Sequence, residues 1–262
     1  NPILVYGVLE AGVGALALLV PFLLELSEPL LSLVYSGLGG MPRFFDLVRF
    51  LVSALILMPP TILMGATLPV LVRATLYERG KFGLTAGRLY AINTFGAVLG
   101  AGLSGFMLLP LLGNSMSIYI AVFMNFGIFA LTLLLKNRIS IPPLPAIERT
   151  GPSFPVNPVS VLVLCGYGLS GMAAFIYQIS WTRALTLTLG GSTYSFTLIL
   201  VSFISGLALG GALITPWVDR IKKPLLWAGV MELCIGLSAI MVLPALDNLN
   251  LAMFHWVHEY QS

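Results

Sequence analysis

Seven long apolar runs govern what this chain can become: 2–24, 47–72, 88–112, 115–136, 158–183, 192–216 and 224–245. At about 1.5 Å per residue, each crosses a hydrocarbon core about 30 Å thick. Runs of that length favour a helix bundle over a barrel, whose strands read as ten-residue alternating segments. Composition agrees, with 58% hydrophobic and 9% charged residues, against about a quarter charged in soluble domains. The reading is an all-α, polytopic membrane helix bundle, with the lipid bilayer as its first partner. A pI near 9.0 suggests nucleic acid, but the thirteen Lys and Arg spread over short connections and form no basic stripe, so nucleic acid is discarded. Cys165 and Cys234 both fall inside apolar runs and imply neither a disulfide framework nor a metal site.

Charge gives the runs an orientation. All basic residues except Arg43, Arg49 and Arg183 lie in three connections: Arg73, Arg79, Lys81 and Arg88; Lys136, Arg138 and Arg149; Arg220, Lys222 and Lys223. Simple alternation of seven spans puts these three connections on one side, and the positive-inside rule makes that side cytoplasmic. The opposite connections carry Glu25, Glu28, Asp46, Asp247 and Glu259. Asn1 is therefore expected inside and Ser262 outside, in a bacterial inner membrane. The segment 137–157, with Pro142, Pro143, Pro145, Pro152 and Pro155, cannot span and is the expected cytoplasmic linker. Asn1 opens directly on an apolar run, without an initiating Met or a charged leader, so the chain is expected to be a window of a longer protein.

A repeat organises the spans. Sliding the chain by 222 residues matches Pro2, Leu4, Gly7, Val8, Glu10, Gly14, Ala17, Val20 and Leu24 with Pro224, Leu226, Gly229, Val230, Glu232, Gly236, Ala239, Val242 and Leu246. Leucine-rich bias supplies about two or three such identities, but not a shared Pro, two Gly and a Glu. One period holds six spans, an even number, so both copies point the same way across the membrane. This is a parallel six-plus-six repeat of the major-facilitator type. Residues 1–136 are then the latter part of the first repeat, spans three to six, and 158–262 the first three spans of the second.

The residues also carry a resemblance. Gly168 to Gly211, GLSGMAAFIYQISWTRALTLTLGGSTYSFTLILVSFISGLALGG, resembles the fused major-facilitator/spermidine-synthase membrane proteins, as do LMPPTILMGATLPVLVRA at 57–74 and GRLYAINTFGAVLGAGLSGFMLLPLLG at 87–113. The resemblance implies a membrane module that in some members precedes a soluble aminopropyltransferase domain. It implies a polyamine or other small cation as cargo, or else a non-transporting anchor or accessory subunit with membrane partners. The chain contains no strand, glycine-rich turn and acidic residue in the order that would hold decarboxylated S-adenosylmethionine, so no catalytic residue and no cofactor are assigned.

Several side chains are candidates for function. Glu10 and Glu232 stand about eight residues, roughly 12 Å, into their spans. A central acidic residue costs about 2.5–3.5 kcal/mol to insert, which a partner, a proton or water must offset. Each is read either as a hydrogen-bonded clamp between helices or as half of a pseudo-symmetric pair that binds a proton or cation. Asn93, Asn125 and Gln178 are expected to bond neighbouring helices, with Asn93 and Gln178 also candidates for substrate contact. Gly96 with Gly100, and Ser202, Gly206 and Gly210, form small faces four residues apart that suit close helix packing. Asp219 and Arg220 match the end of a Gly-x-x-x-Asp-Arg gate loop, although Thr215 replaces its glycine. Pro59, Pro60 and Pro69 are expected to bend or break their span. Arg49 is placed to pair with Asp46. His255, His258 and Glu259 stand at i, i+3 and i+4 without a further ligand, so an interfacial helix is preferred and no metal is assigned.

Overall fold

The computed structural model describes residues 1–37, 42–75, 81–137 and 157–261. Among these, seven α-helices follow one another with no strand: α1 Pro2–Gly37, α2 Pro42–Thr75, α3 Phe82–Leu103, α4 Leu109–Leu135, α5 Pro158–Leu189, α6 Thr193–Ile214 and α7 Pro224–Gln261. A π-helical turn, Ser104–Leu108, joins α3 to α4, and a 3-10 turn, Val218–Arg220, precedes α7. Arg79, Arg138, Arg149 and nearly all of the 137–157 linker lie outside the described residues.

Six helical stretches are long and apolar enough to cross a membrane. One of them, Phe82–Leu135, is 54 residues long, about 80 Å at helical rise and more than twice a bilayer core. Gly113 interrupts it with φ 76° and ψ 178°, a conformation open to glycine at little cost. The exposure pattern is that of a protein dissolved in lipid. Leu55, Phe123, Leu134, Tyr167 and Met241 face outward, whereas the buried apolar residues are mostly small: Val13, Val72, Ala74, Val122, Ile199, Ala208 and Ala239. Bilayer tails solvate large apolar side chains, so small residues are left to bring helices together.

The helices outrun the apolar runs. Glu25 and Glu28 lie within α1, Asp46 within α2, and Asp247 and Glu259 within α7, so the connections expected to carry these acids are largely helical extensions. Hydropathy registers where lipid ends, while backbone hydrogen bonding continues into water. Arg49 does pair with Asp46, at 3.4 Å; both side chains are exposed, and such a pair is worth at most about 1 kcal/mol. The proline-rich span is also not broken. α2 runs as one helix through Pro59, Pro60 and Pro69. Proline removes donors that the carbonyls four residues earlier would use. Nearby hydroxyls add local bonds, Thr61 donating to the Leu57 and Met58 carbonyls at 3.0 and 2.9 Å, and Thr67 to Met64 at 2.7 Å.

The contacts divide the chain into Asn1–Tyr90 with Met107–Pro142, and Ala91–Phe106 with Pro143–Ser262. In the first unit α1 packs against both α2 and α4. Its start is set by Pro2 at the first helical position and by the Asn1 side chain, which accepts from the Ile3 N–H at 3.1 Å. Gly7 abuts Thr132, and Gly14 abuts Asn125 and Phe126. The glycines are seven apart and so are Thr132 and Asn125, in opposite order, which makes an antiparallel crossing in heptad register. Gly12, on another side of α1, meets Leu63 of α2.

In the second unit, residues 91–106 group with the later helices instead of with the rest of α3, and the reason is local. Gly102 faces Val201, Gly105 abuts Thr197, and the Phe106 ring stacks on Tyr194 at 6.2 Å. Position falls along α6 as it rises along α3, so this crossing too is antiparallel. α6 is entered through Gly190, at φ 85°, and capped by Ser192, whose hydroxyl accepts from the Ser195 N–H at 3.1 Å. At both crossings the threonine hydroxyl is spent within its own helix: Thr132 donates to the Phe129 carbonyl and Thr197 to the Thr193 carbonyl, each at 2.7 Å. The glycines therefore meet a satisfied, β-branched side chain with little freedom to move aside.

Gly96, Gly100, Gly206 and Gly210 make none of these close approaches; nothing among the described atoms lies within 4 Å of a Cβ built on any of them. A four-residue spacing marks a small face but does not set its direction. In this structure the direction of contact favours Gly7, Gly14 and Gly105.

Candidate functional site

The two repeated glutamates have different surroundings. α1 and α7 both begin at the aligned proline, Pro2 and Pro224, so Glu10 and Glu232 stand at the same height above their helix starts. Glu10 is half-buried, and Tyr6, one turn earlier on the same helix, lies beside its carboxylate. Ala228 occupies the position of Tyr6 in the second copy. Glu232 turns instead to the neighbouring helix, where the Ser170 hydroxyl of α5 donates to its Oε1 at 2.5 Å. Both neighbours carry neutral hydroxyls. Among the described residues no Lys or Arg pairs with either carboxylate.

Neither Tyr6 nor Ser170 was singled out in the sequence, and Ser170 is the harder of the two to find. A hydroxyl on α5 gains meaning only once α5 and α7 are known to be neighbours, and nothing in the apolar patterns of the two helices fixes which faces meet.

Gln178, two turns beyond Ser170 on α5, lines a cleft of about 310 Å³ between α5 and α6 with Trp181, Leu185, Leu198, Ile199, Ser202 and Phe203. The lining is mainly apolar, with Gln178, Ser202 and Trp181 as the residues that carry side-chain polar groups. Tyr177 stacks on Trp181 at 5.4 Å beside it. Asn93 is exposed on α3, and Asn125 is half-buried against Gly14. None of Asn93, Asn125 and Gln178 makes the expected bond to a neighbouring helix among the described residues.

Asp219 and Arg220 are exposed in the 3-10 turn before α7. Thr215, at the position of the gate motif's glycine, is buried and donates to the Gly211 carbonyl at 2.6 Å, closing the end of α6. The side chains of His255, His258 and Glu259 lie outside the described residues.

These features define a class: an integral membrane protein, all-helical among the described residues, with a half-buried carboxylate on α1 and an exposed one on α7, each the same distance from the start of an apolar helix. Comparison with known protein families, with curated proteins and with solved structures gives no match.

Proposed function

We propose that the chain is the membrane module of a spermidine-synthase-like fusion, built on a major-facilitator-type parallel repeat, and that it carries a polyamine or another small cation. The observation that carries this reading is that neither Glu10 nor Glu232 pairs with a basic side chain among the described residues, the hydrogen bond of Glu232 going to the neutral Ser170 hydroxyl. A carboxylate inside a bilayer needs a partner, a proton or water to offset its cost, and a proton or a cationic substrate is the compensation this reading assigns. The matching starts of α1 and α7 support the repeat. The break at Gly113 supports reading Phe82–Leu135 as two spans, for seven in all.

On this reading Asn1 is cytoplasmic and Ser262 outside, 1–136 and 158–262 belong to successive repeats, and 137–157 links them on the cytoplasmic side. Reconstituted in proteoliposomes, the whole protein takes up labelled spermidine above the level of empty vesicles. Glu10→Gln and Glu232→Gln keep the size of the side chain, and each reduces uptake at least about tenfold if the charge is what the cation sees. Uptake unchanged in both variants removes the proposal. A second reading, a non-transporting accessory subunit, draws on the Ser170–Glu232 bond, which ties α5 to α7 as a structural clamp does.

A further inference from the structure

The two copies of the repeat display complementary sides of one helix. On α1 the side visible with its partner is the glycine side, where Gly7 and Gly14 seat Thr132 and Asn125 of α4. On α7 it is the glutamate side, where Glu232 meets Ser170 of α5. The counterparts of Gly7 and Gly14 are Gly229 and Gly236, with the same spacing, and nothing among the described atoms lies within 4 Å of a Cβ at either. At about 100° per residue, Gly229 and Gly236 lie roughly 20° apart around α7, with Glu232 about 60° from Gly229. α5 therefore sits beside this glycine face without covering it.

We infer that the Gly229/Gly236 face of α7 seats an antiparallel membrane helix patterned like α4, which presents a Thr-like hydroxyl side chain and a small polar side chain seven residues apart. The inference rests on the repeat and not on the transported species. The occupant follows from the first copy, where the same two glycines receive that pattern in antiparallel sense. A second copy of this chain fits poorly. A twofold axis along the membrane normal would set α7 parallel to α7, and the Thr132 side of the second copy's α4 is already seated on its own α1. Residues fit the same logic at the contact: a glycine pair lets backbones approach, and a hydroxyl that bonds back to its own helix adds no unsatisfied polar group.

The probe is a synthetic peptide of Leu109–Leu135, carrying a fluorophore at one end, added to the whole protein in lipid nanodiscs with an acceptor near Pro224. The expected result is saturable energy transfer, strongest when the label is at the Leu135 end, as an antiparallel crossing requires. Binding should weaken at least about tenfold in the protein variant Gly229→Leu with Gly236→Leu. Both positions face open space, so the double variant should keep its helicity. A peptide variant, Thr132→Leu with Asn125→Leu, should weaken binding equally and leaves the protein untouched. No transfer with the wild-type pair, undiminished transfer in both variants, or transfer strongest from the Leu109 end overturns the inference. So does self-association of the protein without peptide that the double glycine variant abolishes, because the occupant would then be a second copy.

Discussion

Gly7→Leu and Gly105→Leu will each disrupt the helix crossing they sit in, and even Gly7→Ala will be felt. A Cβ at Gly7 overlaps the Thr132 side chain, and one at Gly105 overlaps Thr197. Turning either threonine about χ1 does not relieve the overlap, because its Cβ itself would lie 2.9 Å from a Cβ at Gly7 and 2.6 Å from one at Gly105. Relief must come from moving a backbone, and overpacking of that kind costs about 1–3 kcal/mol. Gly105 carries a second constraint, since it lies in the π-helical turn Ser104–Leu108, where the backbone is already off regular geometry. Thermal unfolding in detergent should show both leucine variants well below wild type. Gly96→Leu, on a side of α3 with nothing within 4 Å, should match wild type. If Gly7→Leu and Gly96→Leu unfold together, the α1–α4 crossing is not as described.

The second large effect is expected at Glu232, and its sign separates function from structure. Interhelical hydrogen bonds inside membranes are worth about 0.6 kcal/mol on average and at most about 2 kcal/mol. A carboxylate in the middle of a span costs about 2.5–3.5 kcal/mol to insert. One bond to Ser170 therefore falls short of offsetting the charge, and a clamp alone does not account for the residue. Glu232→Leu should leave unfolding unchanged or make the protein modestly more stable, while spermidine uptake is lost. A clear loss of stability in Glu232→Leu, with uptake intact in Glu232→Gln, would mean that the bond to α5 is the residue's purpose.

The membrane class and the starts of α1, α5 and α7 were legible because their causes are local: apolar length, a proline at the first helical position, and, for α1 and α7, a stretch that shares Pro, Gly and Glu; α2 and α3 instead begin at Pro42 and Phe82, ahead of the runs at 47 and 88. The junction at 112–115 was legible for the same reason, and Gly113 breaks the helix there. The far ends of α1 and α7 were not, because helices continue past the lipid boundary that hydropathy records. The π-helical turn left no mark, since one extra residue in a turn hardly disturbs a helical pattern. Among the glycines, sequence spacing pointed to 96 with 100 and 206 with 210, whereas the close approaches use Gly7, Gly14 and Gly105. Small faces are visible in a sequence, but which of them meets a neighbour depends on how helices are rotated. Tyr6 could have been paired with Glu10 by its one-turn spacing. Ser170 could not have been paired with Glu232, because sixty-two residues separate them.

The parallel repeat is the central claim, and topology tests it most directly. With Cys165 and Cys234 replaced by Ser, single cysteines are placed at Lys81, Pro145 and Lys222, one in each basic connection, and probed in intact cells and inverted vesicles with a thiol reagent that cannot cross the membrane. The account predicts labelling of all three from the cytoplasmic face only. Labelling of any one of them from the outer face would mean that the spans do not alternate as counted, that α1 and α7 do not point the same way, and that the repeat is not parallel.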